Sequence, residues 1–475
     1  MKKISFKSSY SVLLLNYIGR ILSAITNFIL LPTYLGTSSL GLYAGMHHMV
    51  FLLAKIDLSQ GILRYGPKYD GKKGGQAAFL GWVVVASTLL YGALIGIAFF
   101  FKGALITYFT PKAADIIYYL PWVALWGYVV LLNVTLKAYA IAFNRVFWPS
   151  FFQHVVLNVL LIGIIYGYGV GYYGFDLFLL GMACAYGINL LLLCFDLWQR
   201  GELRLSWDSR FFNLSFMRSF GRYSMITLVS GNLSMLMLRI DNIMVLAMCG
   251  KESETLYHSV VFLGLLLEIP MKVVKQTWGA HLVKLLNQKS YDDLQKVYKE
   301  VTYWQFASST LCFMILYTYI DYLLFAFSKE DLAIMKGLFL CIGLSKLIDN
   351  IFRLGSEIVI LSPYFTWGIV NALLLLLGIG NNYFMIRWIG VLGASIATGM
   401  TLLLGGGFSL FLIWYKLKIN PWSVQLAWAI GITLLGILAI HCLPICSSAY
   451  VDILMRTTFL SLFFCSTFVI AKKVK

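Results

Sequence analysis

Charge is what this chain has least of. Only 12% of its 475 residues are Asp, Glu, Lys or Arg, against 60% hydrophobic, and the mean hydropathy is +0.81. A soluble chain of this size carries about twice that charged fraction. Acids are the scarcer sign, 20 against 37 Lys and Arg, for a net charge of +17. The sequence has no phosphate-cradling nucleotide loop, no Cys or His in metal-ligand spacing and no catalytic dyad. Its largest polar stretch, 199–221, is a basic connector. A membrane glycosyltransferase or glycan polymerase would need a sizeable loop carrying acid/base groups on one face. Its absence argues against an enzyme. The eight cysteines, among them Cys184, Cys194, Cys312 and Cys465, lie in apolar segments and read as small hydrophobes. Cys442 and Cys446 either pack in the same way or form a disulfide. No small-residue cleavage site follows the first apolar run, from about Tyr10, so that run reads as a retained span rather than a signal peptide.

What the chain does have is long apolar runs. They predict an all-α polytopic membrane protein with helices near 10–34, 41–65, 78–101, 115–141, 150–170 and 176–198, then 222–249, 257–283, 300–326, 332–360, 364–386, 391–415, 422–444 and 449–470. Each is long enough to cross about 30 Å of hydrocarbon, and runs of this length span as helices rather than as barrel strands. With the N-terminus inside, 21 loop Lys and Arg fall on the cytoplasmic side and 5 on the other (Lys102, Lys112, Lys251, Lys329 and Arg387). Both termini are therefore expected in the cytoplasm, and loop topology rather than nucleic acid accounts for the basic balance.

Half of the chain echoes the other half. Gly36 followed by Leu42-Tyr43 matches Gly250 followed by Leu256-Tyr257, 214 residues on; Pro149 and Pro363 share that offset, and Gly171-x-x-Gly174 recurs at Gly390-x-x-Gly393. The unit holds six helices, an even number, so both copies enter the membrane from one side as a parallel repeat with a site between the copies. The expected organisation is a six-helix lobe over 1–205, a second over 206–415, and two additional helices over 416–475.

Charges inside these segments mark candidate sites, because a charge at mid-bilayer costs roughly 2.5–3.5 kcal/mol and normally faces a bundle interior or a wet cavity. The central hairpin, 236–278, carries Arg239 and Asp241 on its first arm. On the second, Glu268, Lys272 and Lys275 share one face beside Pro270. Arg20 lies on a polar stripe with Asn16, Ser23 and Asn27. Lys55 and Asp57 fall mid-segment, with Arg64 toward the helix end. Lys346, Asp349, Arg353 and Glu357 step by three and four along one face. Arg20, Lys55, Arg64, Arg239, Lys272, Lys275, Lys346 and Arg353 are the candidate substrate ligands. Asp57, Asp241, Glu268, Asp349 and Glu357 are candidates for ion coupling or ion pairing. The alternative is an internal ion-pair network that only holds helices together. Arg64, Lys137 and Lys336 sit near helix ends, where long basic side chains snorkel. His47, His48 and His154 read as packing residues, since no carboxylate or Cys spacing makes them ligands. The bases outnumber the acids, so a cavity they lined would attract an anion such as a diphosphate.

The pattern Gly19-Arg20…Pro32-Thr-Tyr-Leu-Gly36…Leu40-Gly41-Leu42-Tyr43, then Asp57-Leu-Ser-Gln-Gly61…Arg64-Tyr65, resembles Wzx-type polysaccharide flippases. Arg239-Ile-Asp241-Asn…Gly250…Leu-Tyr257 resembles the seventh and eighth helices of the same family. The resemblance covers the whole chain and places it in the multidrug/oligosaccharidyl-lipid/polysaccharide exporter superfamily. It implies a two-lobed, V-shaped bundle with a cationic central cavity in a bacterial inner membrane. Such a bundle moves a polyprenyl-diphosphate-linked oligosaccharide outward by alternating access, for O-antigen or capsule assembly. The implied partners are that substrate, membrane lipids and other polysaccharide-assembly membrane proteins. No cofactor is implied beyond coupling to protons or sodium. The number of acids among the bases departs from the family pattern, and leaves Glu268, Asp349 and Glu357 open as coupling sites or ion-pair partners. A drug/cation antiporter of the same superfamily would share the fold but needs a net acidic cavity.

Overall fold

The computed structural model describes residues 6–55, 57–69, 74–143, 145–201, 214–230, 233–268, 282, 285–286, 288–324, 327–442, 452–453 and 455–461. These are helical almost throughout, as an apolar solvent demands: backbone groups that lipid cannot satisfy must be satisfied within each segment. In chain order the main helices are α1 (Phe6–Ile25), α2 (Thr37–Ala54), α3 (Ser59–Tyr65), α4 (Gly75–Phe100), α5 (Lys102–Ala113) and α6 (Ile116–Ala142). They continue as α7 (Phe147–Gly169, which includes a π turn at Phe152–Val156), α8 (Phe175–Gln199), α9 (Leu214–Ser230), α10 (Leu233–Cys249) and α11 (Lys251–Leu266). Last come α12 (Tyr291–Thr318), α13 (Lys329–Leu361), α14 (Ile369–Ile389), α15 (Val391–Leu417) and α16 (Val424–Cys442). A short helical stretch over 455–461 falls in the last predicted span.

Among the described residues, α4, α6, α7, α8 and α15 are long and apolar enough to cross a membrane by length and composition. Leu89, Phe99 and Phe100 of α4 are 69%, 75% and 83% exposed. Water would not tolerate so continuous an apolar face; lipid does. The chain is a multi-pass membrane protein.

Three local departures from the sequence reading have physical causes. The span predicted over 41–65 is two helices, because the chain leaves helical hydrogen bonding after Lys55. Asp57 Oδ1 then accepts from the Ser59 N–H at 2.8 Å and starts α3. Residues 102–113 are a helix, α5, packed on α10, rather than a loop. Residues 214–221 belong to α9 rather than to a polar connector.

The contacts divide the chain into two compact units, Met1–His258 and Ser259–Lys475. The repeat would instead divide it at 205/206. The difference follows α10, whose Leu246 and Ala247 join the buried cluster of Tyr43, Trp126, Phe178 and Tyr186 in the first unit. Helices start at both matched glycines: α2 follows Gly36 and α11 follows Gly250. In the second unit Tyr298, Leu354, Ile358, Ile413 and Leu417 draw α12, α13 and α15 together.

Helix α15 lies against α13 through small residues, the way helices approach closely in membranes. A Cβ on Gly406 would stand 2.5 Å from Phe352 Cβ, whereas one on Gly407 would meet open space. Neither carbon of the first pair can rotate away. Gly406→Ala is therefore expected to destabilise the second unit by about 1–3 kcal/mol. Gly407→Ala should be neutral or slightly stabilising through helix propensity. Melting temperatures of the two variants in detergent check this; equal values would show that the α13–α15 contact is not tight.

Candidate functional site

Among the described residues, each unit holds a cluster of buried polar side chains that includes candidate site residues. In the second unit the cluster is built on α13. Lys346, Asp349 and Arg353 step along one face of α13, while Ser345 and Phe352 face α15. Where α11 ends, its free Leu267 carbonyl accepts from Ser309 Oγ at 3.0 Å and from Asn350 Nδ2 at 3.3 Å. Asn350 also donates to Ser309 Oγ at 2.8 Å, and Gln305 Nε2 donates to the Asn350 carbonyl at 3.1 Å. That scaffold delivers Glu268 to the α13 face. Lys346 Nζ donates to Glu268 Oε1 at 2.6 Å, Arg353 Nη1 donates to Asp349 Oδ2 at 2.7 Å, and Arg353 Nη2 stands 3.7 Å from Glu268 Oε1. Two cations and two carboxylates compensate one another, and Glu357, one turn on, lies within electrostatic reach of Arg353. Lys272, Lys275 and Pro270 lie outside the described residues.

In the first unit the cluster is built on α2, α10 and α11. Helices α2 and α11 touch backbone to side chain. A Cβ on Gly41 would overlap the Lys251 carbonyl and stand 2.9 Å from Thr255 Oγ1, and that hydroxyl donates to the Thr37 carbonyl at 2.5 Å. This contact sets His48 of α2 against His258 of α11, with His48 Nε2 and His258 Nδ1 2.8 Å apart. Arg239 of α10 donates through Nη1 to His48 Nδ1 at 2.8 Å and lies 5.0 Å from the Phe51 ring centroid, a cation–π contact. Tyr43 and Tyr186 complete its surroundings. Among the described residues no carboxylate pairs with Arg239. Glu254, one turn before His258 and fully buried, has its Oε1 3.7 Å from His48 Nε2, and among the described residues neither of its oxygens accepts a hydrogen bond. His48, Glu254 and His258 each offer a ligand atom, all within 4.8 Å of one another.

The remaining candidates scatter. Arg20 and Lys137 both lie within electrostatic reach of His154. Lys55 Nζ lies 3.9 Å from Asp57 Oδ2, a loose pair at the break between α2 and α3. Arg64 is exposed, with its guanidinium 4.1 Å from the Tyr223 ring centroid. Asp241 is fully buried on α10. Two of the basic residues expected to snorkel are paired instead: Lys137 donates to Gln153 Oε1, and Lys336 Nζ lies 2.7 Å from Asp321 Oδ1. His47 packs on Phe51 with ring centroids 4.5 Å apart, as expected of a packing residue. His48 does not; it is a hydrogen-bonded hub. Its partners were invisible as a spacing because they lie 191 and 210 residues away in sequence. The one local signal was the i, i+4 step of Glu254 and His258, a pattern that puts two side chains on one helix face.

No family model and no curated sequence matches the chain. Solved structures do. The lipid II flippase MurJ, in an inward closed conformation, superposes with a TM-score of 0.74 at 17% identity, covering 98% of this chain and 99% of that one. An inward-facing multidrug resistance MATE family transporter of the MOP superfamily gives 0.66 at 12% identity, over 85% of this chain and 94% of that one. An outward-facing MATE family transporter gives 0.57 at 13% identity, over 86% and 96%. The chain has the polytopic helical fold that these flippases and transporters share.

Proposed function

We propose that this protein is a flippase for a polyprenyl-diphosphate-linked oligosaccharide, working by alternating access of its two six-helix repeats, 1–205 and 206–415, with 416–475 outside them. The observation that carries the reading is Arg239, a guanidinium inside a helix bundle with aromatic and imidazole neighbours and, among the described residues, no carboxylate beside it. A cation in that setting is costly unless an anion visits it, and a guanidinium fork matches the paired oxygens of a diphosphate. A lipid-linked substrate is in keeping with the full-length likeness to a lipid II flippase. The motif resemblance to Wzx-type flippases supports an O-antigen or capsular glycan, a bacterial inner membrane and cytoplasmic termini.

Glu268 and Asp349 serve as the proposed coupling carboxylates. Both have cationic partners, at 2.6 and 2.7 Å, so a proton or sodium ion must displace Lys346 or Arg353 to bind. Liposomes carrying the purified protein and a polyprenyl-diphosphate oligosaccharide test both parts of the reading. Translocation that quickens when a pH gradient is imposed is the expected result. Equal rates with and without gradients of protons or sodium would remove the coupling and leave the flippase standing. No translocation of the lipid, with export of a lipophilic cation instead, would favour the antiporter.

A further inference from the structure

We infer that His48, Glu254 and His258 form a site for a divalent transition-metal ion of the zinc class, and that Arg239 and the metal compete for His48. The donor set is two imidazoles and a carboxylate, which suits such metals and not calcium or magnesium, whose ligands are oxygens. The site is built rather than incidental. Gly41 allows the approach of α2 to α11 that places His48, and Glu254 and His258 share one face of α11 at i, i+4. Glu254 is the residue that calls for a ligand: 0% exposed, with neither oxygen hydrogen-bonded among the described residues, and His258 Nε2 is likewise buried without a hydrogen bond.

The distances lie near those a metal imposes. Zinc ligands at 2.0–2.1 Å in a tetrahedron are about 3.4 Å apart. His48 Nε2 to Glu254 Oε1 is 3.7 Å and His48 Nε2 to His258 Nδ1 is 2.8 Å, so these two pairs bracket that value, and all three residues offer ligand atoms within 4.8 Å of one another. The tautomers supply the competition. Arginine has only donors, so its bond fixes His48 Nδ1 as an acceptor and leaves the imidazole proton on Nε2. There it points at His258 Nδ1. A metal needs the Nε2 lone pair, so that proton must move to Nδ1, where it would oppose the Arg239 N–H. Metal binding thus releases Arg239 from His48, and the charge of Arg239 in turn weakens the metal. A metal at this site would thus free the residue to which we assign the substrate anion. The metal site itself does not depend on that assignment.

The full-length, tag-free protein, stripped of metal in detergent, is titrated with Zn2+ by calorimetry. One ion per chain is expected. His258→Ala and Glu254→Gln should each weaken it at least tenfold. Arg239→Gln should tighten it by a similar factor, an opposite sign that adventitious surface binding would not produce. X-ray absorption of the wild-type zinc complex needs no variant and should show a nitrogen/oxygen shell with imidazole scattering. Absence of stoichiometric binding, affinity unmoved by Glu254→Gln and His258→Ala in variants that elute as wild type, or weakened binding in Arg239→Gln would overturn the site. None of these readouts uses transport, so the site and the flippase reading can fail separately.

Discussion

Arg239→Ala is expected to reduce glycan export at least tenfold while protein level and melting temperature stay close to wild type. The asymmetry comes from its partners. Arg239 donates to an imidazole and lies on an aromatic ring, so its removal leaves no buried acid uncompensated among the described residues. The loss to the fold is one hydrogen bond and some packing, about 1 kcal/mol. The loss to an anionic substrate is a charge-assisted interaction, roughly 1.5–3 kcal/mol. Arg239→Lys keeps the charge but not the planar fork, and should export at an intermediate rate. Export in cells lacking the native protein, read beside an immunoblot, is the measurement. Normal export by Arg239→Ala at normal level would remove Arg239 from the transport path.

Arg353→Ala should behave in the opposite way. Its side chain is 17% exposed and its partners Asp349 and Glu268 are each 10% exposed, so solvent screens the network little. Removing the cation leaves Asp349 without its 2.7 Å partner, and breaking a buried pair from one side typically costs about 3–5 kcal/mol. A lower melting temperature and a lower protein level are therefore expected. Adding Asp349→Asn should restore both, because the orphaned charge goes with the arginine. The rescued double variant then reads the remaining question. Wild-type export would make Arg353 an ion-pair partner alone, and absent export at restored protein level would make it a substrate ligand as well. Removing Glu357 instead of Asp349 should rescue less, since Glu357 is not the residue Arg353 hydrogen-bonds. A single variant as stable as wild type would show that the network does not hold the second unit together.

The sequence by itself determined the solvent of this protein and the course of its backbone. A chain with so little charge and such long apolar runs can satisfy its peptide groups in lipid only as helices, and the helices start where Gly, Pro and the loop charges interrupt the runs. The recurrence of Gly36 at Gly250, each just before a helix, was legible for the same reason: helix starts are local events. The face shared by Lys346, Asp349 and Arg353 was legible too, since a face is only a period of 3.6 residues. The partner of each charge was not. Lys346 bonds an acid 78 residues away and His48 an imidazole 210 away, and no period connects such distances. The structure decided that Arg353 has carboxylate partners and that Arg239 has none among the described residues, although both read alike as arginines in apolar segments. It also decided that His48, which reads from the sequence as a packing residue, stands between that arginine and a buried carboxylate. Which residues share a helix face follows from bonded geometry along one strand of chain. Which faces meet follows from where small residues such as Gly41 and Gly406 let helices close to contact, and that is a property of two segments at once.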